Sequence, residues 1–464
     1  MKTFKIGGIH PNDSKISRDC KIEVLPVPQK VFISMAQHLG APAKPIVAVG
    51  DRVKTGQVIG EPGGFISAFV HSSVTGTVKS IAPRKDLAGN CVVPHVEIEV
   101  EPDEWAEGID TSDTIVTEIP QDKDFILGRV KANGVVGLGG ATFPAHVKLA
   151  PAKQPDFLIL NGAECEPYLT SDYRIMMEKT AQIIVGAAIM RQVLGGPRTV
   201  IAIEENKPEA IDAMNNMVRM LKDNHGGYDG IEVMPLMKKY PQGGEKQLIN
   251  AVTGREVLSG KLPADAGCVV QNVATALAVY DAVQKNMPLI TNTLTVTGDC
   301  LPAERQHNYL FRIGIPLSYI AEYAGGIPDE AAKIISGGPM MGKAIANLDA
   351  TTVKGSSSLL FLTDAQTRRK KASNCIRCGR CADACPMGLE PFLLYRLYNA
   401  GNTEELENNA VQDCISCGCC LYSCPANIPL LDNINMAKGQ VMGIIRARAA
   451  AAKAAAEAAK VEQK

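Results

Sequence analysis

The sequence predicts a multidomain α/β protein with an all-β beginning and a cysteine-rich helical end. Three observations lead there. The chain has 464 residues, more than one hydrophobic core organises. Residues 156–285 alternate short apolar runs with amphipathic stretches, the pattern of a parallel sheet wrapped by helices. Eight cysteines between residues 375 and 424 repeat one spacing twice, which calls for a small domain of their own.

Composition is that of an ordinary soluble protein: 46% apolar, 21% charged, net charge −1. Such a balance gives nucleic acid no electrostatic footprint. The start, MKTFKIGGIHPND, has neither the apolar core nor the cleavage site of a signal peptide. No run reaches the ~18 to 20 apolar residues of a bilayer span. The expectation is a cytosolic chain with no membrane span of its own. Of fourteen cysteines, Cys20, Cys91, Cys165, Cys268 and Cys300 are scattered singly and the rest are clustered. Where thiols stay reduced, clustering points to metal or redox sites.

Residues 46–81 alternate apolar residues at strand period between glycine turns. They predict an all-β domain over 1–115, similar to the barrel-sandwich fold of biotinyl and lipoyl carriers. No lysine stands between Gly63 and Phe69, where those carriers are modified, so a structural or docking module is expected. His71 has no second ligand nearby in sequence and reads as a structural histidine.

The next expected domain is 120–288. DFLIL (156–160), TVIAIE (199–204), IEVMPL (231–236) and CVVQN (268–272) are strand candidates. Ser171 to Leu194, the stretch after Pro208, the stretch from about Glu245 and VATALAVYDAV are helical in pattern. Ligands of such sheets bind at the carboxyl ends of strands, and here those ends read NGAECEP, EEN, KKYPQGGEK and QNV. The glycine-rich GVVGLGGATFPAHVK (134–148) precedes the first strand. It matches neither G-x-G-x-x-G nor a Walker loop, and a purely structural turn is the alternative. Yet glycines let backbone N–H groups approach a phosphate or planar ring. Pro144 can open a helix facing an anion, with Lys148 one turn on.

Residues 289–350, with TLTVTGDC and IISGGPMMGK, read as a small mixed domain. Residues 351–373, with SSS and RRKK, read as a linker with a solvated basic face. The tail 441–464 is alanine-rich with Lys453 four residues before Glu457. It predicts a surface helix without an apolar stripe.

The domain at 374–440 carries the strongest signal. Both cysteine motifs read C-x2-C-x2-C-x3-C-P, 39 residues apart. A tight loop supplies three thiolates of an iron–sulfur cluster, and the cysteine before proline serves the other cluster. One set is therefore Cys375, Cys378, Cys381 and Cys424; the other is Cys414, Cys417, Cys420 and Cys385. Cys419 is spare. A zinc site would favour two separated C-x2-C pairs. The intervening segment predicts two short helices, with Thr403 as an N-cap.

GVVGLGGATFPAHVK, NGAECEP, YPQGGEKQLI and QNVATA together are similar to the flavin- and NADH-binding subunit of respiratory complex I. With GGIHP and the paired cysteine motifs, the chain resembles still more closely the RnfC family, the NADH-side subunits of ion-translocating ferredoxin:NAD oxidoreductase (Rnf) complexes. The resemblance spans residues 1 to about 440 and implies FMN, NAD(H) as substrate and two 4Fe–4S clusters. Carried over by motif, the FMN candidates are Gly137, Gly139, Gly140, Lys148, Asn161, Glu164, Tyr240, Gly244, Glu245 and Asn272. Phe143 and Glu166 fall at the nicotinamide nucleotide. Leu138, Ala163 and Lys246 depart from the complex I pattern. Residues 289–350 resemble its ubiquitin-like SLBB domain. The resemblance also implies an oxidoreductase subunit with no catalytic acid or triad. It would sit at the cytoplasmic side of the membrane through partner subunits, one of them an iron–sulfur subunit exchanging electrons with ferredoxin. The alternatives are a diaphorase subunit of a soluble complex and a flavin-free iron–sulfur relay.

Overall fold

A four-stranded parallel sheet forms the α/β centre of the chain, seen here in a computed structural model that describes residues 1–86 and 92–462. Cys91 lies outside the described residues, as do the side chains of Lys453 and Glu457. The strand order is Ile231–Leu236, Arg198–Glu204, Phe157–Gly162, Cys268–Asn272. These are the four expected strands within two residues. Alternate residues serve opposite faces, as strand geometry requires. Leu158, Leu160, Ile201 and Ile203 pack with helices Thr180–Val193 and Val273–Gln284. Ile159, Val200 and Ala202 pack with helix Glu245–Thr253. Burial on both faces is why these runs read as continuously apolar. The order reverses between Phe157–Gly162 and Cys268–Asn272, which opens a crevice at their carboxyl ends.

The stretch expected as one helix from Ser171 to Leu194 is two, Ser171–Glu178 and Thr180–Val193, broken at Lys179. The Thr180 hydroxyl donates back to the Met176 carbonyl at 2.6 Å, a bond that bends helices.

The all-β region holds a four-stranded sheet, Lys30–Ser34, Val92–Val100, Gly76–Lys85 and Arg52–Val53. A smaller sheet, Lys44–Pro45, Val58–Glu61 and Val70–His71, faces it. Ala68 enters the core of the α/β centre, and Leu39 N–H donates to the Thr142 carbonyl at 3.1 Å. The barrel region thus abuts the glycine loop.

A third unit is a six-stranded mixed sheet in the order Ile22–Val24, His307–Arg312, Thr291–Thr297, Ser358–Thr363, Ala331–Ser336, Lys343–Ala344. This corrects the expected linker over 351–373. Residues 358–363 form an interior strand of that sheet, with Leu359, Leu360, Phe361 and Leu362 buried. The serines before it are polar, but four apolar residues in a row outweigh them. Only residues 364–373 remain as an exposed connector.

The cysteine-rich region is helical: Arg380–Asp383, Pro391–Asn399, Thr403–Asn408, Cys419–Tyr422 and Leu430–Glu462. Asn402, not Thr403, is the N-cap of the third, its side chain accepting from Glu405 N–H. The expected tail is continuous with the last helix. No described helix is long and apolar enough to cross a membrane.

The N-terminal segment straps these units together. Lys2 bridges to Leu236, and Ile9 and Tyr240 exchange backbone hydrogen bonds of 2.8 and 2.9 Å. Gly8 N–H donates to the Ala384 carbonyl at 3.0 Å. At Gly7, with φ +64°, a Cβ would sit 2.4 Å from the Cys385 carbonyl group. Only glycine fits there.

Candidate functional site

One of the two expected cysteine sets lines a common space. Cys385, Cys414, Cys417 and Cys420 border one partly open, mostly apolar space, along with Cys419. Cys381 and Cys424 share an apolar cluster; burial, then the neighbouring Cys424, raises the Cys381 thiol. Burial and the nearby Cys414, Cys417 and Cys385 push Cys420 up to about 12. Thiols this reluctant to ionise alone become thiolates when a cation is bound, and four soft donors around one space fit an iron–sulfur cage.

The two loops share a backbone. Arg377, Gly379 and Gly388 have φ of 56°, 77° and 67°; Ser416, Gly418 and Asn427, their counterparts, have 56°, 79° and 52°. Their surroundings differ. Cys385, Cys417 and Cys420 are buried, whereas Cys375 and Cys378 are exposed.

The crevice of the parallel sheet gathers most of the remaining candidates. Gly137 N–H donates to the Phe143 carbonyl at 2.8 Å, closing the glycine loop, and Leu138 N–H donates to Thr275 Oγ1 at 2.9 Å. The loop lies over the start of helix Val273–Gln284. A Cβ on Gly139 would come 3.3 Å from Asn272 Cβ, while Gly140, at φ +109°, faces open space. Asn272 caps that helix through Ala274 N–H at 2.7 Å. Asn161 Nδ2 donates to the Gly243 carbonyl at 2.9 Å. Lys148 Nζ meets Glu245 Oε1 at 2.7 Å, while Lys246 donates towards the Leu258 carbonyl instead. Gly244 caps helix Glu245–Thr253. Bare backbone at Gly137 and Gly140, the Asn161 and Asn272 amides and the Lys148 ammonium are donor groups of the kind that suit a flavin and its phosphate.

Tyr240, Glu164 and Glu166 stand apart from this cradle, and Phe143 sits at the end of the glycine loop. The Tyr240 hydroxyl donates to the Cys417 carbonyl at 2.9 Å, tying the crevice loop to the inner cysteine loop. Glu166 Oε1 lies 3.3 Å from that hydroxyl, and Glu166 Oε2 accepts from Met340 N–H at 3.0 Å. Residues 336–342, the SGGPMMG turn, therefore close over Glu166. Glu164 accepts from Asp172 N–H at 2.7 Å. Phe143 is half-buried.

Several residues the sequence did not single out support this loop. Lys15 Nζ donates to the carbonyls of Glu164, Glu166 and Leu169 at 2.8, 2.9 and 2.6 Å. Lys207 Nζ donates to the Ala163 carbonyl at 2.6 Å and lies 3.6 Å from Glu204. Burial, then the Glu164 charge, pushes the Asp172 carboxyl up to about 7. Burial raises Glu164 as well, opposed by Lys15 and Lys207. Lys354 is 1% exposed and donates to the carbonyls of Phe69 and Gly134 at 2.9 and 2.6 Å, and burial pushes it down to about 7. His71 beside it falls to about 3, by burial and then by the Lys354 charge. Lys207 follows the EEN turn that had drawn notice; Lys15 and Lys354 leave no local signal.

Comparison with known proteins bears directly on this arrangement. Residues 2–104 match the RnfC barrel sandwich hybrid domain, residues 130–281 the Nuo51 FMN-binding domain, and residues 367–425 the 4Fe-4S dicluster domain. The chain is 42% identical over 447 residues to the RnfC subunit of the Na+-translocating ferredoxin:NAD+ oxidoreductase complex of Acetobacterium woodii, covering 95% of this chain and 97% of that one. It belongs to the RnfC family. Another RnfC relative, from the proton-translocating ferredoxin:NAD+ oxidoreductase complex of Clostridium ljungdahlii, is 46% identical over 403 residues, 85% of this chain and 84% of that one. The RnfC relative from the ion-translocating oxidoreductase complex of Rhodobacter capsulatus is 42% identical over 455 residues, 95% of this chain and 84% of that one. In this RnfC-family chain the barrel-sandwich, flavin-type and dicluster regions are thus each matched by a known domain.

Proposed function

We propose that the chain passes electrons between NAD(H) and the ferredoxin side of an ion-translocating membrane complex. FMN would be held in the crevice and two 4Fe–4S clusters in the two cysteine sets. The observation that carries this reading is the Tyr240 hydrogen bond to the Cys417 carbonyl, because it joins the loop at the crevice to one cluster's ligand loop. When bound, flavin exchanges a hydride with nicotinamide and single electrons with iron–sulfur centres, a conversion no side chain performs.

The chain's own residues supply position and charge. Gly137, Gly139 and Gly140 keep the ring's approach free of side chains. Lys148 and the N-terminus of helix Val273–Gln284 favour the phosphate. Asn161, Gly244, Glu245 and Asn272 would border the ring, the buried Glu164 and Tyr240 would support it from outside the cradle, and Phe143 and Glu166 would lie on the nicotinamide side. Cys414, Cys417, Cys420 and Cys385 hold the inner cluster beside the crevice loop. Cys375, Cys378, Cys381 and Cys424 hold the outer one, where a partner can reach it. The six-stranded sheet region would be the ubiquitin-like SLBB unit of this arrangement. Attachment to the cytoplasmic face of the membrane would come from the other members of the complex, including an iron–sulfur subunit that meets ferredoxin.

The test is anaerobic mixing of the purified chain with NADH, with flavin and iron counted in the same sample. Bleaching of both flavin and iron–sulfur absorbance is expected. An unchanged spectrum with both groups present would refute the reading.

A further inference from the structure

We propose that the outer cysteine loop, residues 374–381, is the docking face for an electron-carrying partner with an acidic surface; this rests on reading both cysteine sets as iron–sulfur centres. The argument starts from the repeat. On the inner loop, Ile415 packs with Ile9, Tyr240, Cys419 and Met340. A Cβ on Gly418 would meet the Met340 carbonyl at 3.3 Å, Cys417 carries the Tyr240 bond, and Cys419 is fully buried. This face is the one by which a cysteine loop meets the flavin-type domain.

The same face of the outer loop is bare. Ile376, the counterpart of Ile415, is 67% exposed. Nothing approaches the Cβ position of Gly379 more closely than its own loop's Asp383, at 4.0 Å. The counterparts of Ser416 and Cys419 are Arg377 and Arg380, both exposed. The connector extends the positive charge. Ser373 N–H bonds the Ala426 carbonyl at 2.9 Å, which lays the RRKK run beside the loop that ends in Cys424. Arg368 pairs with Asp364 and Arg369 with Asp432. Lys370, Lys371, Arg377 and Arg380 form no ion pair among the described residues. An exposed isoleucine on a loop and connector that together carry four unpaired cations has the make-up of a recognition surface for an acidic protein. On a chain of net charge −1, it is a local feature rather than an overall excess.

The experiment uses the full chain carrying its clusters, reduced with dithionite and desalted. The probes are native cytochrome c, which is basic, and succinylated cytochrome c, which is acidic. Each event moves one electron from the outer cysteine-held centre to one ferric haem, and no proton moves. At low salt the intact chain should reduce the acidic probe faster than the basic one. Arg377→Glu with Arg380→Glu should change the ratio of the two rates by about tenfold in favour of the basic probe. Lys370→Glu with Lys371→Glu, outside the ligand loop, should shift it the same way by less, which keeps the test decisive if the first variant loses iron. Near ~0.5 M salt the preference should fade. A ratio unmoved by either pair, or by salt, overturns the proposal. Because dithionite bypasses NADH, failure of the NADH reaction would count against the proposed function and leave this result standing.

Discussion

The loop around Cys417 and the loop around Cys378 have positive φ at matching positions, yet one is sealed by another domain and the other meets solvent. In the inner loop Ile415, Gly418 and Cys419 are covered; in the outer loop Ile376, Gly379 and Arg380 are not. Ligand spacing fixes what a cysteine loop can hold. The residues between the ligands decide what it can touch. A small side chain at position 416 or 419 permits close packing, and an arginine at 377 or 380 keeps the surface open and charged.

The comparison breaks most severely at the ligands themselves. Cys417→Ser and Cys378→Ser should each remove about half of the bound iron. Only the first should also disturb the centre beside the crevice, so that NADH-driven reduction of any iron–sulfur signal is lost. Iron counting and electron paramagnetic resonance distinguish the two. If Cys378→Ser proved equally damaging to both signals, the inner and outer assignment would fail.

Glycines come next. Gly7→Ala, at φ +64° with a Cβ 2.4 Å from the Cys385 carbonyl group, should cost about 3 kcal/mol in stability. Gly379→Ala, at φ +77° with no neighbour nearer than 4.0 Å, should cost only about 1 kcal/mol of backbone strain. Denaturant unfolding measures both; equal costs would mean that the strap is not seated on the inner loop.

Lys354 offers a control away from both loops. Its pKa drops from the usual 10.5 to about 7 in the folded chain. Between those values the unfolded chain holds a proton that the folded chain has released. Stability therefore rises with pH across that window and is least below 7, where the buried cation is at full cost. His38 and His71 face the same charge and are both held neutral by burial. Relative to Lys354→Met, the intact chain should gain up to about 1.4 kcal/mol per pH unit between pH 7 and 10. Both iron–sulfur signals should stay unmoved; a parallel pH profile in the two proteins contradicts the shift.

The subtlest test is Tyr240→Phe, which deletes one hydrogen bond to the Cys417 carbonyl, worth about 1 kcal/mol. A redox titration should shift the inner midpoint potential and leave the outer one alone, since hydrogen bonding near the thiolates tunes a cluster. A shift in both would show that Tyr240 acts through general loosening.

What the sequence made legible was local. The four parallel strands showed as apolar runs because both faces are buried, and the cysteine loops because chelation needs ligands a few residues apart. The crevice residues Asn161 and Asn272 could be placed because each lies at the carboxyl end of a strand. Contacts across great sequence distance were silent. Lys15 reaches carbonyls about 150 positions away, and Lys354 bonds Gly134 from 220 positions away. The strand at 358–363 was hidden by the serines before it. The link from Tyr240 to Cys417 joins two motifs that were each recognised, but nothing within either one points to the other.

The strap over Cys385 sets an order of events. A ribosome releases residues 7 and 8 early, but the carbonyls they clasp come more than 370 positions later. Until then the pocket around Cys385, Cys414, Cys417 and Cys420 has no clasp, so a cluster held there would be loaded before the strap is seated. Once the clasp shuts, backbone covers the Cys385 side of that pocket, while Cys375 and Cys378 stay open to repair and to oxygen alike.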